Sequence, residues 1–535
     1  MKKNNLSERD YPIRYALISV SDKTNIVEFA LELHNRKIKI LATSGTACLL
    51  AKSGIPVIEI SNYTGFPEIL DGRVKTLNTK IYTGILYRRG IDDKIIEHYK
   101  IFPIDILIVN FYPFKQTIMH QDCLLEEAIE KVDIGGPTMV CSAAKNYKFV
   151  SVIVNHKDYN DVLDELNTNN NYLSLNTRFK LAMKAFNYLA FDKIDIANYF
   201  NQLTSKLGNV KKHDDILPEK ININLVKKQN MIYGENIHQN AALYTPELTN
   251  QEFSSNLLKV QGEKLSYNNF IDIDTAIECL EEFTEPTCVI IKHSNPCGVA
   301  TANSISYAYK RAYISDTISA FGGVIALNRE LDQSTIELII KNQFVEIIAV
   351  PSVSDIALKI ISKKKKIKLI VYPKFKKNPL LMDFKNVNNG EMLVQEHNYK
   401  KLDINKLSIV SKNQPNKQEI KDSIFCWKVS KFVKSNAIVC ARNSATIGIG
   451  AGQMSRIDSV KIAYMKAKNA GLETENSVMA SDAFFPFRDS IDIAAKMGVK
   501  CIIQPGGSIR DQEIIDAANE YNISMIFTEI RNFRH

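Results

Sequence analysis

Apolar and polar positions alternate in blocks along the first part of the chain, and every apolar block is short. The apolar runs are residues 15–20, 38–42, 57–60, 105–110 and 150–154. Polar residues end the first runs, and stretches with helical spacing separate one run from the next. Strands that alternate with short helices form βαβ units, which require a mainly parallel sheet covered on both faces. The pattern therefore predicts an α/β domain.

The pattern also divides the rest of the chain. A helical stretch at 176–202 ends the first region, and a polar stretch rich in Lys and Asn follows it. We expect four segments: a domain at 1–202 with its core at about 1–150, a linker at 203–230, and α/β regions at 231–390 and 391–535. Residues 288–295 resemble residues 432–436, since in both an apolar stretch leads to a Lys and then to Ser-Asn, a weak sign of duplication that chance also produces.

Composition excludes several classes of protein. The chain has 535 residues, of which 45% are hydrophobic and 24% charged, as in ordinary globular proteins. A net charge of +9 suits anionic small molecules but is too dilute to indicate a nucleic-acid partner. The lysine run at 363–366 with Lys368 reads as a solvated face. No apolar stretch is long enough to cross a membrane.

Cysteines and the N-terminal sequence indicate the compartment. The nine cysteines are an odd number, which argues against a complete disulfide framework, and they include no Cys-x-x-Cys pair, which argues against structural zinc. The first ten residues, MKKNNLSERD, are followed by no apolar signal-peptide core. We therefore expect a cytoplasmic protein without a metal.

Two loops of the first region resemble phosphate cradles. Ser19, Ser21 and Lys23 surround the end of the first run, and residues 43–46 (Thr-Ser-Gly-Thr) follow the second. Each loop precedes a helix, whose free N–H groups and dipole favour an anion. Simple helix capping explains either loop alone, but two loops at one end of parallel strands favour a ligand.

Two further turns of this region carry charge. Arg73 and Lys75 lie in the turn 71–76 and would point the same way if it is extended. Asp133 begins a glycine-rich turn that leads to a helix carrying Lys145. Around a phosphate pocket, these groups could move protons on a bound nucleotide; they could equally form surface ion pairs.

In the second region, Lys292 and His293 end a strand before a turn with Pro296 and Gly298. Histidine titrates near neutrality and serves as a general base, and a neighbouring ammonium stabilises developing negative charge. A lone histidine is more often structural. The Pro296-Cys297 pair matches part of a zinc-deaminase signature, whose other ligands are missing.

The third region offers turns rather than one clear motif. Its glycine-rich stretch 448–456 has Gln453 where a dinucleotide-binding fingerprint needs glycine. Three aromatics in 481–489 suit a core, although a flat heteroaromatic ligand could stack there. Residues 504–508 form another strand-to-helix turn.

Taken in order, these motifs resemble a known family over nearly the whole chain. The sequence is similar to the bifunctional purine-biosynthesis enzymes that join AICAR (phosphoribosylaminoimidazolecarboxamide) formyltransferase to IMP cyclohydrolase. The shared motifs include SVSDKT, GFPE, DGRVKT, DIGGPTMV, YGEN, LSYNN, KHSNPCG, SAFGG, KSNAI, IGIGAGQMSR, SDAFFPFRD, QPGGSIRD and the terminal FRH.

The resemblance implies that the first part is the cyclohydrolase, a methylglyoxal-synthase-like α/β domain that closes FAICAR, the formylated intermediate, to IMP. Lys145 would be its proton donor or acceptor, with Lys75 and Asp133 also catalytic. The nucleotide would contact Ser21, Asp22, Lys23, Thr43, Ser44, Gly45, Thr46, Arg73, Val74, Thr76, Asn110, Phe111 and Ile134.

The remainder would be the formyltransferase, made of two cytidine-deaminase-like α/β subdomains without zinc. AICAR would take a formyl group from the co-substrate 10-formyltetrahydrofolate, with His293 as base and Lys292 stabilising the transition state. Tyr233, Gly322, Glu346, Asn436 and Arg456 would hold AICAR. Ile457, Phe484, Ser508, Ile509 and Arg531 would line the folate side. The family also implies a homodimer that shares this site.

Some positions depart from the family pattern. Ile232 replaces an arginine, and the others are Asn78, Thr79, Tyr82, Cys141, Tyr147 and Tyr188. We interpret them as drift in an A+T-biased genome, since the proposed acid–base groups remain. Two alternatives stay open: a nucleotide- and folate-binding protein that has lost one activity, most plausibly the transferase, and a zinc deaminase.

Overall fold

The computed structural model describes residues 11–112, 114–118, 123–207, 217–246, 258–372 and 382–535. The N-terminal ten residues and part of the predicted linker, 208–216, lie outside the described residues. The chain forms two compact units, one of residues 1–225 with 246–250 and one of the remainder. The finer domain limits expected from the sequence stay predictions.

The first unit is built on a five-stranded parallel sheet, which confirms the predicted α/β fold. Its strands are β1 (Tyr15–Val20), β2 (Lys39–Ala42), β3 (Ile58–Glu59), β4 (Ile106–Asn110) and β5 (Ser151–Ile153), in the order β3-β2-β1-β4-β5. Its helices are α1 (Ile26–Asn35), α2 (Ser44–Lys52), α3 (Ile60–Thr64), α4 (Thr79–Leu86), α5 (Asp93–His98), α6 (Phe114–Ile118), α7 (Leu125–Glu130), α8 (Gly135–Lys145), α9 (Tyr159–Thr168) and α10 (Leu175–Leu207).

Both faces of this sheet are buried, as the nearly continuous apolar strands predict. Ile18 of β1 belongs to the core under α1, α2 and α9. Its neighbour Leu17 belongs to the core under α4, α8 and α10. Because helices cover both faces, polar side chains can gather only in the loops at the two ends of the strands. We call these ends the carboxyl edge and the amino edge of the sheet.

The second unit contains one sheet of twelve strands. In chain order it has β6 (Leu225–Asn230), β7 (Ala242–Pro246), β8 (Leu258–Gln261), α11 (Tyr267–Leu280), β9 (Thr287–Lys292), β10 (Asn295–Thr301), α12 (Ile305–Ser315), β11 (Val324–Leu327), α13 (Gln333–Asn342), β12 (Ile347–Val350), α14 (Asp355–Ser362), β13 (Lys368–Val371), β14 (Met382–Asn386), β15 (Met392–Glu396), β16 (Ser408–Ile409), α15 (Lys417–Ser430), β17 (Ile438–Arg442), β18 (Ala445–Gly450), α16 (Arg456–Asn469), β19 (Val478–Ser481), α17 (Asp489–Lys496), β20 (Cys501–Gln504), α18 (Asp511–Glu520) and β21 (Ser524–Phe527). The sheet order is β16-β21-β20-β19-β17-β18-β10-β9-β11-β12-β13-β8. Strands β6 and β7, and strands β14 and β15, form separate two-stranded sheets.

This order is symmetric about the pair β18–β10, so the unit consists of two α/β halves of the same topology. Helix α11 corresponds to α15, hairpin β9–β10 corresponds to β17–β18, and three strand-helix repeats follow each hairpin. The sequence similarity between 288–295 and 432–436 is therefore misleading. Residues 292–295 form the turn of the first hairpin, and their structural counterparts are 442–445.

Candidate functional sites

The first candidate site lies at the carboxyl edge of the five-stranded sheet. The N–H groups of Ser21 and Asp22 donate to Asn110 Oδ1 at 2.6 and 2.8 Å, which ties the loop after β1 to the end of β4. Lys23 Nζ donates to Thr46 Oγ1 at 2.8 Å, which ties the same loop to α2. The structure thus brings together the two loops that the sequence singled out.

Two ammonium groups face this edge. Burial lowers the pKa of Lys23, and the neighbouring charge of Lys75 lowers it further. Helix α2 supplies additional positive potential at its N-terminus. Residues 43–46 do not simply cap α2, because the side chain of the N-cap residue Thr43 makes no capping hydrogen bond. Its hydroxyl donates instead to Ser19 Oγ at 3.2 Å.

A carboxylate that the sequence argument missed occupies this cradle. The Ser44 hydroxyl donates to the Glu68 carboxylate, and Lys75 Nζ lies 3.9 Å from Glu68 Oε1. The small cavity beside them is lined by Thr43, Ser44, Ile60, Ser61, Phe66, Glu68 and Lys75. Glu68 belongs to the quoted GFPE motif, so the signal was present but carried no assigned role.

We predict that Glu68→Gln strengthens nucleotide binding. The neutral amide keeps an acceptor for Ser44 but no longer repels a phosphate in the same cradle. Removing one half-exposed charge is worth about 1 kcal/mol, or roughly a fivefold lower Kd for IMP. Calorimetric titration with IMP measures the change, with Glu59→Gln, also in the first unit, as control. An unchanged or higher Kd would place the phosphate elsewhere.

The N-terminus of α8 closes the other side of the site. A Cβ on Gly135 would lie 2.3 Å from Thr76 Oγ1, so only glycine permits this approach. Asp133 Oδ1 accepts the Gly136 N–H at 3.0 Å. Phe111 also packs against Gly136, because a Cβ there would lie 2.9 Å from its ring. Thr76, Phe111 and Asp133 therefore lie together, with the Ile134 side chain 57% exposed beside them.

Two departures from the family pattern support this corner. The Tyr188 hydroxyl accepts the Phe111 N–H at 2.9 Å, and the two rings stack at 4.6 Å. Burial raises the pKa of Tyr82 to about 12, and its hydroxyl lies near Thr138 and Asp133. These tyrosines therefore retain structural functions where the family usually has histidine.

The predicted direction of Arg73 and Lys75 is wrong. The segment is a tight turn rather than an extended strand, because Gly72 has φ +84° and the Arg73 N–H donates to the Leu70 carbonyl. Arg73 consequently turns away to pair with Glu130, whereas Lys75 faces Glu68.

Lys145 does not lie near Thr76, Phe111 and Asp133. It ends α8, ten residues and therefore about 15 Å after Gly135. Asn146, the next residue, donates to the Ile85 carbonyl at the far end of α4. A helix between parallel strands runs back from the carboxyl edge to the amino edge, so Lys145 stands at the edge opposite Lys75 and Asp133.

The second candidate site surrounds the β9–β10 hairpin. Lys292 pairs with Asn295, so His293 and Ser294 themselves form the two-residue turn, with φ of +51° and +60°. The expected turn at Pro296 and Gly298 is wrong, since both residues lie within β10 next to a bulge. A turn with two positive φ values matches the twist of a hairpin. It presents the exposed His293 at the tip.

The nucleotide residues expected from the first half lie near this tip. Lys292 Nζ donates to the carbonyls of Phe321 and Gly322 at 3.0 and 3.2 Å. Glu346 accepts from Lys368 at 2.8 Å, and these contacts lower its pKa although its partial burial opposes them. Lys368 is therefore not part of a solvated lysine run. Tyr233 lies in the segment between β6 and β7, next to Ile232, which is 56% exposed.

The residues expected from the second half form a connected network. Arg456 Nη2 donates to Asn436 Oδ1 at 2.8 Å, and Nη1 pairs with the fully buried Asp482. Asp482 also accepts from the Ser435 hydroxyl. Among the residues expected to line the folate side, Phe484 is 40% exposed and Ile509 completely exposed, whereas the neighbouring Phe485 is fully buried. The aromatic stretch thus serves both the core and a surface. Ile457 begins α16 beside Arg456, Ser508 precedes α18, and Arg531 is exposed near the C-terminus.

Strand directions place these residues, apart from Tyr233, at one edge of the twelve-stranded sheet. Strands β9 and β19 end at this edge and strand β17 begins there, and the turn between β9 and β10 lies on it. The loops after β19 and β20 lie at the same edge. Lys292 and Ser508 nevertheless belong to strands five positions apart, roughly 24 Å at 4.8 Å per strand. Within one chain, therefore, the edge holds two groups of residues rather than one compact pocket.

The described residues contain no group of three or more His, Cys, Asp or Glu side chains that could hold a metal ion. No described helix is both long and apolar enough to span a bilayer.

One parallel α/β unit with two lysines at its carboxyl edge, and one duplicated α/β unit with a Lys-His hairpin, define a two-site enzyme acting on phosphorylated small molecules. Comparison with known families makes this specific. Residues 143–466, more than half of the chain, match the AICARFT/IMPCHase bienzyme family, and residues 25–138 match the MGS-like domain. The chain belongs to the AICARFT/IMPCHase bienzyme family.

The protein is therefore a bifunctional AICAR formyltransferase and IMP cyclohydrolase of purine biosynthesis. The family match gives no support to the alternative that one activity has been lost. Among solved structures, the chain is 34% identical to "Crystal structure of ForH", with a TM-score of 0.32, over 35% of this chain and 99% of that chain.

Proposed function

We propose that ring closure occurs at the carboxyl edge of the five-stranded sheet. Lys23, the residues around Ser44 and the N-terminus of α2 would hold the phosphate of FAICAR. Lys75 and Asp133, which flank Thr76, would move the protons that accompany attack of the carboxamide nitrogen on the formyl carbon and loss of water. The observation that carries this assignment is that both ammonium groups are tied to the segment 43–46, Lys23 through its 2.8 Å bond to Thr46 and Lys75 through Glu68, which accepts from Ser44.

The experiment separates the two half-reactions in the full chain. Lys75→Met should lower kcat for FAICAR cyclisation by about 100-fold, the scale of one acid–base group, and leave formyl transfer unchanged. Lys80→Met, in the neighbouring helix α4, is the matched control. Cyclisation within threefold of wild type in Lys75→Met would remove Lys75 from the mechanism.

The role of Lys145 as proton donor or acceptor still rests on the resemblance. Because Lys145 lies at the opposite edge of the sheet, the Lys145→Met variant tests this role separately from Lys75→Met. A fall in kcat without a change in KM would support the assignment. An unchanged kcat would leave the proton transfers to the carboxyl-edge groups alone.

Formyl transfer would take place at the β9–β10 hairpin. The exocyclic amine of AICAR attacks the formyl carbon of 10-formyltetrahydrofolate, forming a C–N bond while the bond from that carbon to N10 breaks. His293 would take the proton lost by the amine, and N10 of the leaving folate gains one. Lys292 would stabilise the negative charge that develops on the formyl oxygen. Gly322, Glu346 and Tyr233 would hold AICAR.

A homodimer would complete this site, with folate bound by the second-half residues of the partner. Two observations support it: the 24 Å separation across the sheet, and large apolar side chains exposed at the same edge. Ile318 is 84%, Met454 96% and Ile509 105% exposed. Sedimentation should give twice the 60.5 kDa chain mass. Met454→Asp should yield monomers without transferase activity, whereas Ile404→Asp, at another exposed apolar position, should stay dimeric.

We further propose a cytoplasmic location. Every one of the nine cysteines is unpaired, and five are buried among apolar side chains as free thiols. Such thiols persist in a reducing compartment.

A further inference from the structure

Asp272 is a half-buried carboxylate directly beneath the Lys-His hairpin, and no role has been assigned to it above. It lies in α11, and its Oδ1 accepts the Ser294 N–H at 2.7 Å and the Ser294 hydroxyl at 3.4 Å. Burial raises its pKa, an effect that the Ser294 N–H and the nearby charge of His293 oppose. The carboxylate thus contacts the turn that carries His293.

The turn needs such support because of its residues. Hairpin turns with two successive positive φ values prefer Asn-Gly, Asp-Gly or Gly-Gly, and His293-Ser294 is none of these pairs. Asn295 holds the other side, since its Nδ2 donates to the His293 carbonyl at 3.0 Å. Asp272 and Asn295 therefore fix the turn from two directions.

We propose that Asp272 is a positioning residue for formyl transfer, which holds His293 in its left-handed conformation by accepting the Ser294 N–H. The inference rests on the proposed role of His293 as base. A general base must lie within hydrogen-bond reach of its proton, so a turn that relaxes by about 1 Å can lower the rate on the order of 100-fold.

The second half of the unit contains an equivalent carboxylate in contact with its own hairpin turn, where no reaction is proposed. Asp422 is the sixth residue of α15, as Asp272 is of α11. Its two carboxylate oxygens accept the N–H groups of Asn443 and Ser444 at 2.7 Å each. Asn443 stands where His293 does, and the pairing of Ala300 with Ala445 puts that turn at the opposite edge of the sheet.

This twin provides the matched control. In the full-length enzyme, Asp272→Ala should lower kcat for formyl transfer about tenfold or more, with KM for AICAR within twofold and cyclisation unchanged. Asp272→Asn, which keeps an oxygen acceptor for the Ser294 N–H, should recover to within about threefold of wild type. Asp422→Ala loses the equivalent bonds and should keep kcat within about twofold, with Asp422→Asn replacing it if the alanine variant does not fold.

Three results would overturn the positioning role: wild-type kcat in Asp272→Ala, an equal loss in the Asp422 variant, or no recovery in Asp272→Asn. A His293→Ala variant separates this failure from failure of the proposed function. If His293→Ala loses formyl transfer while Asp272→Ala does not, only the positioning role is wrong. If His293→Ala keeps the activity, the base itself has been misassigned.

Discussion

His293→Ala should lower kcat for formyl transfer by about 10²- to 10⁴-fold, because it removes the proposed base from the tip of the hairpin. KM for AICAR should change little, since the residues proposed to hold the nucleotide remain. FAICAR cyclisation, which we propose takes place in the other unit, should keep its wild-type rate. The measurement is a pair of separate assays, one for AICAR with 10-formyltetrahydrofolate and one for FAICAR.

The control is Asn443→Ala. This residue occupies the same left-handed position in the twin hairpin, so both substitutions disturb equivalent backbone. Only His293 lies at the edge with Lys292, Gly322 and Glu346. Equal losses in the two variants would mean that turn stability, rather than the imidazole, limits the reaction. More than about one-third of wild-type kcat in His293→Ala would contradict general-base catalysis by this residue.

Much of the first unit could be predicted from the sequence, because residues close together along the chain determine its strands and helices. Short apolar strands and intervening helices determine a parallel sheet, and such a sheet gathers its strand-end loops at one edge. The contacts of Lys23 with Thr46 and of Ser21 with Asn110 realise that geometry. The same rule would have placed Lys145 at the other edge, because the helix between two parallel strands must run backward, but the prediction that groups Lys145 with Lys75 and Asp133 did not take it into account.

The predictions that failed depended on single backbone angles and long-range pairing. Gly72 at φ +84° turns Arg73 away from Lys75, and composition does not reveal which glycine adopts that conformation. His293 and Ser294 are not the residues that hairpin turns prefer, so the sequence pattern favoured a turn at Pro296 and Gly298 instead. Helices α11 and α15 correspond in fold through apolar spacing and capping boxes, while 292–295 and 442–445 share only the serine.

Roles that depend on three-dimensional neighbours were also hidden. Glu68 and Asp272 are ordinary acidic residues in the sequence, 24 positions from Ser44 and 22 from Ser294 respectively. Each gains its significance from contacts with residues that are distant in the sequence. The duplication is informative for the same reason, because Asp422 makes equivalent bonds where no reaction is proposed.

Arg456→Met should destabilise the second unit by about 3–5 kcal/mol, because it leaves a buried carboxylate without its cation. The side chains of Arg456 and Asp482 are 6% and 0% exposed, respectively. Trp427, the single tryptophan of the chain, is buried in α15, so its fluorescence during urea unfolding follows this unit alone. The variant should also lose affinity for AICAR, since Arg456 holds the Asn436 amide.

Arg442→Met is the matched control, because the Arg442–Glu473 pair is 35% and 78% exposed. Its loss should cost no more than about 1 kcal/mol. Adding Asp482→Asn to Arg456→Met should restore part of the stability, since the double variant buries no unpaired charge. If Arg456→Met proved no more destabilising than Arg442→Met, the Ser435 hydroxyl would be sufficient to satisfy Asp482. Arg456 would then serve the nucleotide rather than the fold.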